Sequence, residues 1–232
     1  MRRTRILLAD DHTLLMETLK PLLEPEFEVA GIFADGRALV EATTELKPEL
    51  IMLDVSMPLL NGIDAGRRIK QTFPRIKLVY LTMSHDPDLA AEAFRIGASG
   101  YVLKNCGVSE LVHALREALR GRSYVTPLVT EGMVGSFIHG LKRKGRSNKL
   151  TLRQREVLQL LAEGLTMKEV ASKLDVSPRT VAFHKYTMMD QLHINNTAEL
   201  VQFAVRSSLV SPGFSDGAET GYVRQNEPGY PM

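Results

Sequence analysis

Along the first 125 residues, short apolar runs alternate with longer amphipathic stretches. The runs are Ile6–Ala9, Phe27–Phe33, Leu50–Leu53, Leu78–Leu81 and Tyr101–Leu103. Most are apolar at successive positions rather than at every second one, which is the pattern of strands covered on both faces. The stretches between them are helix-length and repeat apolar residues at 3.6-residue spacing, as in Leu111, Leu115, Ala118 and Leu119. Five strands alternating with five helices predict a doubly wound α/β fold with a parallel sheet. In such folds the ligand site lies at the carboxyl ends of the strands.

Residues 151–210 follow a different pattern and predict a small all-α, four-helix unit. Thr151 to Gln154 and Thr166 to Glu169 have the spacing of capping boxes. Ser177 before Pro178 places an N-cap ahead of a proline at the first helical position. Asn196 to Glu199 repeats the N-cap logic. The link from Leu174 to Pro178 is short enough for a helix-turn-helix.

A chain of 232 residues suits two domains of this kind. The expected division is 1–125, a linker over 126–149, a second domain over 150–210, and a disordered tail over 211–232. Charge sharpens it. The whole chain carries only +2, but residues 126–150 hold five basic residues and one acidic, concentrated in Lys142–Lys149. That run reads as a solvated linker. The tail holds four Gly and three Pro without an apolar period. The single cysteine, Cys106, excludes an internal disulfide framework and suits a reducing compartment. The basic start Met1–Arg5 is followed by an apolar run too short for a signal peptide, and no stretch reaches membrane-spanning length. The expectation is a soluble, cytoplasmic protein with no membrane partner.

Mapping polar residues onto the predicted strand ends gives one cluster. Asp10 and Asp11 follow the first strand, Asp54 the third, Thr82 ends the fourth and Lys104 the fifth. Three carboxylates on one edge repel one another, and a hard divalent cation removes that repulsion. Mg²⁺ suits such a site because it binds a few carboxylates and keeps waters. A lysine and a hydroxyl beside them fit a phosphoryl group added later. The competing account treats each aspartate as an ordinary loop residue.

These residues, with Pro58, Gly62 and Tyr101, resemble the receiver domain of bacterial two-component response regulators, which has a flavodoxin-like fold. Residues 151–206 resemble the LuxR-type DNA-binding domain, through Leu150–Leu158, Glu163-Gly164, Lys168–Ala171, Ser177–Val181 and His184. The order and lengths are similar to the NarL/FixJ family. The resemblance implies that Asp54 accepts a phosphoryl group from a sensor histidine kinase. It implies that Asp11, Asp54 and the main-chain carbonyl of Ser56 hold Mg²⁺, with Asp10 acting through water. Thr82 and Lys104 then move toward the new oxygens, and the Tyr101 ring fills the space that Thr82 leaves. A packed strand residue is the plainer account of Tyr101. The phosphorylated protein is expected to be a homodimer on double-stranded promoter DNA. It catalyses no turnover beyond its own phosphorylation and dephosphorylation.

The helix predicted from Pro178 to about Leu192 has two sides. Val181, Met188 and Leu192 fall on one, flanked by His184 and Lys185. The opposite arc carries Arg179, Phe183, Tyr186 and Asp190, with Ala182 and Thr187 at its borders. In a helix-turn-helix this arc enters the major groove. Arg179, Ala182, Phe183, Lys185, Tyr186 and Thr187 are the candidate DNA contacts. The arc carries fewer cations than the family usually shows, and Asp190 and Gln191 stand near its end. Either the basic linker supplies the missing phosphate contacts, or the aromatic arc docks on the receiver. The alternative function is therefore a phospho-switch acting mainly through protein contacts, with weak DNA binding.

Overall fold

The computed structural model describes residues 2–130 and 150–210. The first part runs β1 (Thr4–Ala9), α1 (Thr13–Leu23), β2 (Phe27–Phe33), α2 (Gly36–Leu46), β3 (Leu50–Leu53), α3 (Gly62–Thr72), β4 (Lys77–Thr82), α4 (Pro87–Arg95), β5 (Gly100–Leu103), α5 (Val108–Leu119) and β6 (Tyr124–Val125). The strands form one six-stranded sheet in the order β2-β1-β3-β4-β5-β6, and every pairing is parallel.

The expected five strands are present. The sixth, β6, is an edge strand of two residues, too short to show a pattern. It pairs with Gly100 and Tyr101. Thr126, expected to open the linker, extends this edge by donating its N–H to the Tyr101 carbonyl at 3.0 Å.

Both faces of the sheet are covered, as continuous apolar strands require. Leu7, Ile51, Leu53, Leu78 and Tyr80 point to one core with Leu39, Ile63 and Ile69. Ile6, Leu8, Met52 and Val79 point to the other with Met16, Leu23, Leu111 and Leu115. The chain leaves β1 toward β2 on one side and reaches β3 on the other, so the crevice opens at the carboxyl ends of β1 and β3.

The second part runs α6 (Leu152–Ala162), α7 (Met167–Leu174), α8 (Pro178–Leu192) and α9 (Thr197–Arg206). Both expected capping boxes are formed, at Thr151 with Gln154 and at Thr166 with Glu169. The Ser177 side chain accepts the Thr180 N–H, and that of Asn196 accepts the Glu199 N–H. Asp175 takes a left-handed conformation at φ 52°, which turns the chain between α7 and α8. Val157, Leu160, Val170, Leu174, Val181, Met188 and Leu200 make the core.

Among the described residues no helix is long and apolar enough to cross a membrane. The basic run Lys142–Lys149 and the tail 211–232 lie outside the described residues.

Candidate functional site

β1 and β3 deliver their carboxylates side by side because their registers align. Ala9 pairs with Leu53, and the next residues are Asp10 and Asp54. The Asp54 N–H donates to the Ala9 carbonyl at 2.8 Å, and the Asp10 N–H to Phe33 at 2.9 Å. Asp10 and Asp54 are 1% and 3% exposed. Carboxylate oxygens of Asp10, Asp11 and Asp54 and a ring nitrogen of His12 all lie within 4.8 Å of one another.

Lys104 closes the cluster from β5. Its Nζ donates to Asp54 Oδ2 at 2.8 Å and lies 2.7 Å from Asp10 Oδ2. One ammonium thus serves two carboxylates. Burial pushes the Asp54 carboxyl above its ordinary value. Lys104 works against that shift and Asp10 adds to it. Burial alone would lower the Lys104 ammonium, but Asp54 and Asp10 outweigh it and hold it above its ordinary value.

The donor set fits a hard cation. It consists of carboxylate oxygens of Asp10, Asp11 and Asp54 within 4.8 Å of one another, faced by the single ammonium of Lys104. Asp11, Asp54 and Asp10 are placed to hold such an ion. His12 occupies the N-cap of α1 without a capping side-chain bond. Its Nδ1 nevertheless turns back to 3.0 Å from both Asp10 and Asp11.

Thr82 and Tyr101 sit where their strands predict. Thr82 is 2% exposed, and its hydroxyl accepts the Ser84 N–H at 3.2 Å. The Lys104 N–H donates to the Thr82 carbonyl at 2.8 Å, which locks the ends of β4 and β5 together. The Tyr101 ring is fully buried, and its hydroxyl donates to the Ser84 carbonyl at 3.0 Å. Thr82, Ser84 and Tyr101 thus form one connected unit beside the carboxylates.

On α8 the two sides separate as expected. Val181 and Met188 are buried. Arg179 is exposed, and Phe183 and Tyr186 are 66% and 61% exposed. Neither aromatic belongs to the core, and neither is docked on the first domain. Ala182, Lys185 and Thr187 are half-buried. The Lys185 ammonium donates to the Thr197 hydroxyl at 2.8 Å and lies 5.9 Å from the Tyr186 ring centre.

The face that does meet the first domain is the polar stripe of α6, which the sequence reading did not single out. Gln159 donates to the Met57 carbonyl at 2.9 Å. Its carbonyl accepts the Asn61 N–H at 2.8 Å and the Asn61 side-chain amide at 3.0 Å. Glu163 accepts the Leu59 N–H at 3.1 Å. Arg155 pairs with Asp64 at 2.9 Å, and Arg68 pairs with Glu156. Burial pushes the Glu163 carboxyl upward, against the bonds from Gln159 and Leu59.

Comparison with known proteins gives two family matches. Residues 6–116 match the response regulator receiver domain, and residues 148–204 match the luxR family of bacterial regulatory proteins. Oxygen regulatory protein NreC of Staphylococcus carnosus is 33% identical over 214 residues, which are 89% of this chain and 99% of that protein. NreC of Staphylococcus aureus is equally similar. Among solved structures, RcsB of Salmonella typhimurium aligns at TM-score 0.59 with 28% identity, over 89% of this chain and 99% of that one. RcsB bound to promoter DNA with a phosphomimetic aligns at TM-score 0.56 with 27% identity, over 90% of this chain and 100% of that one.

Proposed function

The chain belongs to the NarL/FixJ-type response regulators, phosphorylation-controlled DNA-binding regulators of transcription, and we propose that Asp54 is its phosphoacceptor and the exposed arc of α8 its DNA-reading surface. The donor is a phosphohistidine on a sensor kinase. An Asp54 oxygen bonds to phosphorus as the P–N bond breaks, which leaves an acyl phosphate and a free imidazole. Lys104 supplies positive charge beside the transferring oxygens. When bound, Mg²⁺ neutralises charge on those oxygens. Asp11, Asp54 and the Ser56 carbonyl would hold it, with Asp10 acting through water.

The observation that carries this reading is the single Lys104 ammonium between Asp54 and Asp10, within a cluster of three carboxylates. The acyl phosphate carries about 1.5 to 2 negative charges in place of the carboxylate's one. Lys104 and the Thr82 hydroxyl follow that charge, and Tyr101 follows through Ser84. This couples a local charge event to a packing element.

The domains act as a receiver over 1–125 and a DNA-binding unit over 150–210, joined through the basic segment. Phosphorylation favours a homodimer, since a symmetric pair of recognition helices matches two half-sites one helical turn apart. RcsB dimers bound to DNA support a dimer as the DNA-bound form. Action on promoter DNA assigns the protein to the cytoplasm.

The test is labelling with acetyl phosphate and Mg²⁺, read by intact mass. Asp54→Asn is expected to show no adduct, because an amide does not form the acyl phosphate. An adduct on that variant overturns the assignment. Asp11→Ala is expected to need more Mg²⁺ for the same labelling.

A further inference from the structure

We infer that Gln159, on the DNA-binding domain, is a positioning residue for the receiver's cation site. It holds the Met57–Asn61 loop and, through that loop, the main-chain carbonyl of Ser56. This rests on the metal site proposed above and adds a residue from the other domain to it.

The loop is closed tightly on the phosphoacceptor. It leaves Asp54 through Val55, whose N–H donates to Asp54 Oδ1 at 2.6 Å. It returns at Gly62, whose N–H donates to the Val55 carbonyl at 2.8 Å. A Cβ at Gly62 would sit 1.9 Å from the Asp54 carbonyl oxygen, so the returning backbone lies directly on the departing one. Ser56 lies inside this ring. Any shift of the loop therefore moves the Ser56 carbonyl relative to Asp54.

Within the ring the backbone takes a costly path. Leu59 has φ 64°, a left-handed conformation that is strained for a leucine and persists only where its surroundings hold it. Those surroundings come from the other domain. Glu163 takes the Leu59 N–H, and the Leu59 side chain packs against the helical core. Gln159 grips the loop on both sides of Leu59, at the Met57 carbonyl and the Asn61 N–H.

The Gln159 side chain is 1% exposed, and its amide orientation is dictated by its partners. The NH₂ group serves Met57 and Glu163, and the carbonyl serves two donors of Asn61. Turning the amide over would set donors against donors. The loop is thus pinned at three backbone points by rigid partners. A ligand group that is already ordered loses less entropy when it binds. By linkage, the cation in turn strengthens the docking of α6.

The test is a calorimetric Mg²⁺ titration of the full-length protein without phosphodonor, at constant ionic strength. Gln159→Ala is expected to raise the half-saturating Mg²⁺ concentration about fivefold, the low end of common coupling. It should also speed amide exchange over Val55–Asn61. Arg68→Ala removes an interdomain ion pair away from the loop and is expected to shift the titration less than about twofold. If Gln159→Ala does not fold, Gln159→Met tests the same grip, because it keeps the side chain's bulk but neither donates to the Met57 carbonyl nor accepts from Asn61. An unchanged or tighter Mg²⁺ titration in the Gln159 variant overturns the inference. So does an equal loss in Arg68→Ala, since docking in general would then be the cause. Asp11→Ala separates the two readings. If it binds Mg²⁺ like the parent, the metal site itself is wrongly placed. If it loses Mg²⁺ while Gln159→Ala does not, only the positioning role fails.

Discussion

Lys104 Nζ lies 2.8 Å from Asp54 Oδ2, and this one ammonium also faces Asp10 at 2.7 Å. One cation therefore balances two buried carboxylates. The residual imbalance shows in Asp54, whose carboxyl is pushed above its ordinary value by burial despite Lys104. The site carries an unfavourable negative charge that a divalent cation relieves.

Asp54→Asn should therefore stabilise the metal-free protein at neutral pH. A group whose folded pKa is raised binds protons more tightly in the native state, so stability falls as pH rises through that pKa. The neutral amide removes this loss. The expected gain is on the order of 1 kcal/mol, a common size where a functional site trades stability for activity. Urea denaturation with chelator measures it. The gain should shrink when Mg²⁺ is added, because only the parent is rescued by the ion. A less stable variant under both conditions contradicts this account of the site.

Lys104→Ala should still accept a phosphoryl group from acetyl phosphate, since Asp54 and the metal ligands remain. It should fail to dimerise on labelling, because no ammonium follows the new oxygens. Light scattering of labelled and unlabelled variant checks this. A variant that dimerises like the parent removes Lys104 from the switch.

Glu163 makes a pH prediction at the domain contact. Its carboxyl is raised above its ordinary value of 4.5, with burial as the main cause. The sign is that of a buried acid. Its contribution to folding and docking is most favourable when it is protonated, and that part is lost as pH rises above 4.5 through the raised value. Glu163→Gln keeps the shape and an acceptor for the Leu59 N–H but does not titrate. The variant's stability should be flatter than the parent's over that window. Equal slopes in chemical denaturation across the window would leave Glu163 without a role in the pH response.

Much of this arrangement was legible in the sequence because it is periodic or local. Continuous apolar runs gave β2 and β3 with their observed limits, and cap residues marked the starts of α6, α7, α8 and α9. Strand ends then brought Asp10, Asp54, Thr82 and Lys104 to one edge without any knowledge of side-chain geometry. The missing parts are those that depend on pairing between distant segments. β6 is only two residues long, and its existence rests on Gly100 and Tyr101. The stripe of Arg155, Gln159 and Glu163 is polar at helical spacing, which reads as a solvent face. It is buried because another domain covers it with complementary polar groups, and nothing in α6 alone announces that. His12 illustrates the same limit. It directly follows Asp10 and Asp11 in the sequence, but the turn of its ring back onto both carboxylates depends on side-chain geometry that no sequence pattern carries.

The last prediction concerns what α8 touches. Phe183 and Tyr186 are exposed while α6 makes interdomain contacts, which supports groove contact as the proposed role of the arc. Arg179→Ala and Tyr186→Ala should each weaken binding to the protein's own promoter region, by roughly 1–3 kcal/mol where the lost contact is to a base. The two kinds of contact separate by salt. A lost phosphate contact lowers the slope of log affinity against log salt by about 0.9 and weakens all sequences alike. A lost base contact leaves the slope and reduces discrimination between specific and random DNA. Arg179 stands at the amino end of α8, where base edges are reached, so its removal should reduce discrimination. Tyr186 lies two turns on, beside the Lys185 ammonium, and its hydroxyl is the proposed donor to a backbone phosphate. Because that donor is neutral, its loss should weaken all sequences while changing the slope by much less than 0.9. Gel-shift titrations across a salt series, with specific and random duplexes, decide both. If neither substitution changes affinity, the arc does not read DNA, and a protein partner becomes its better occupant.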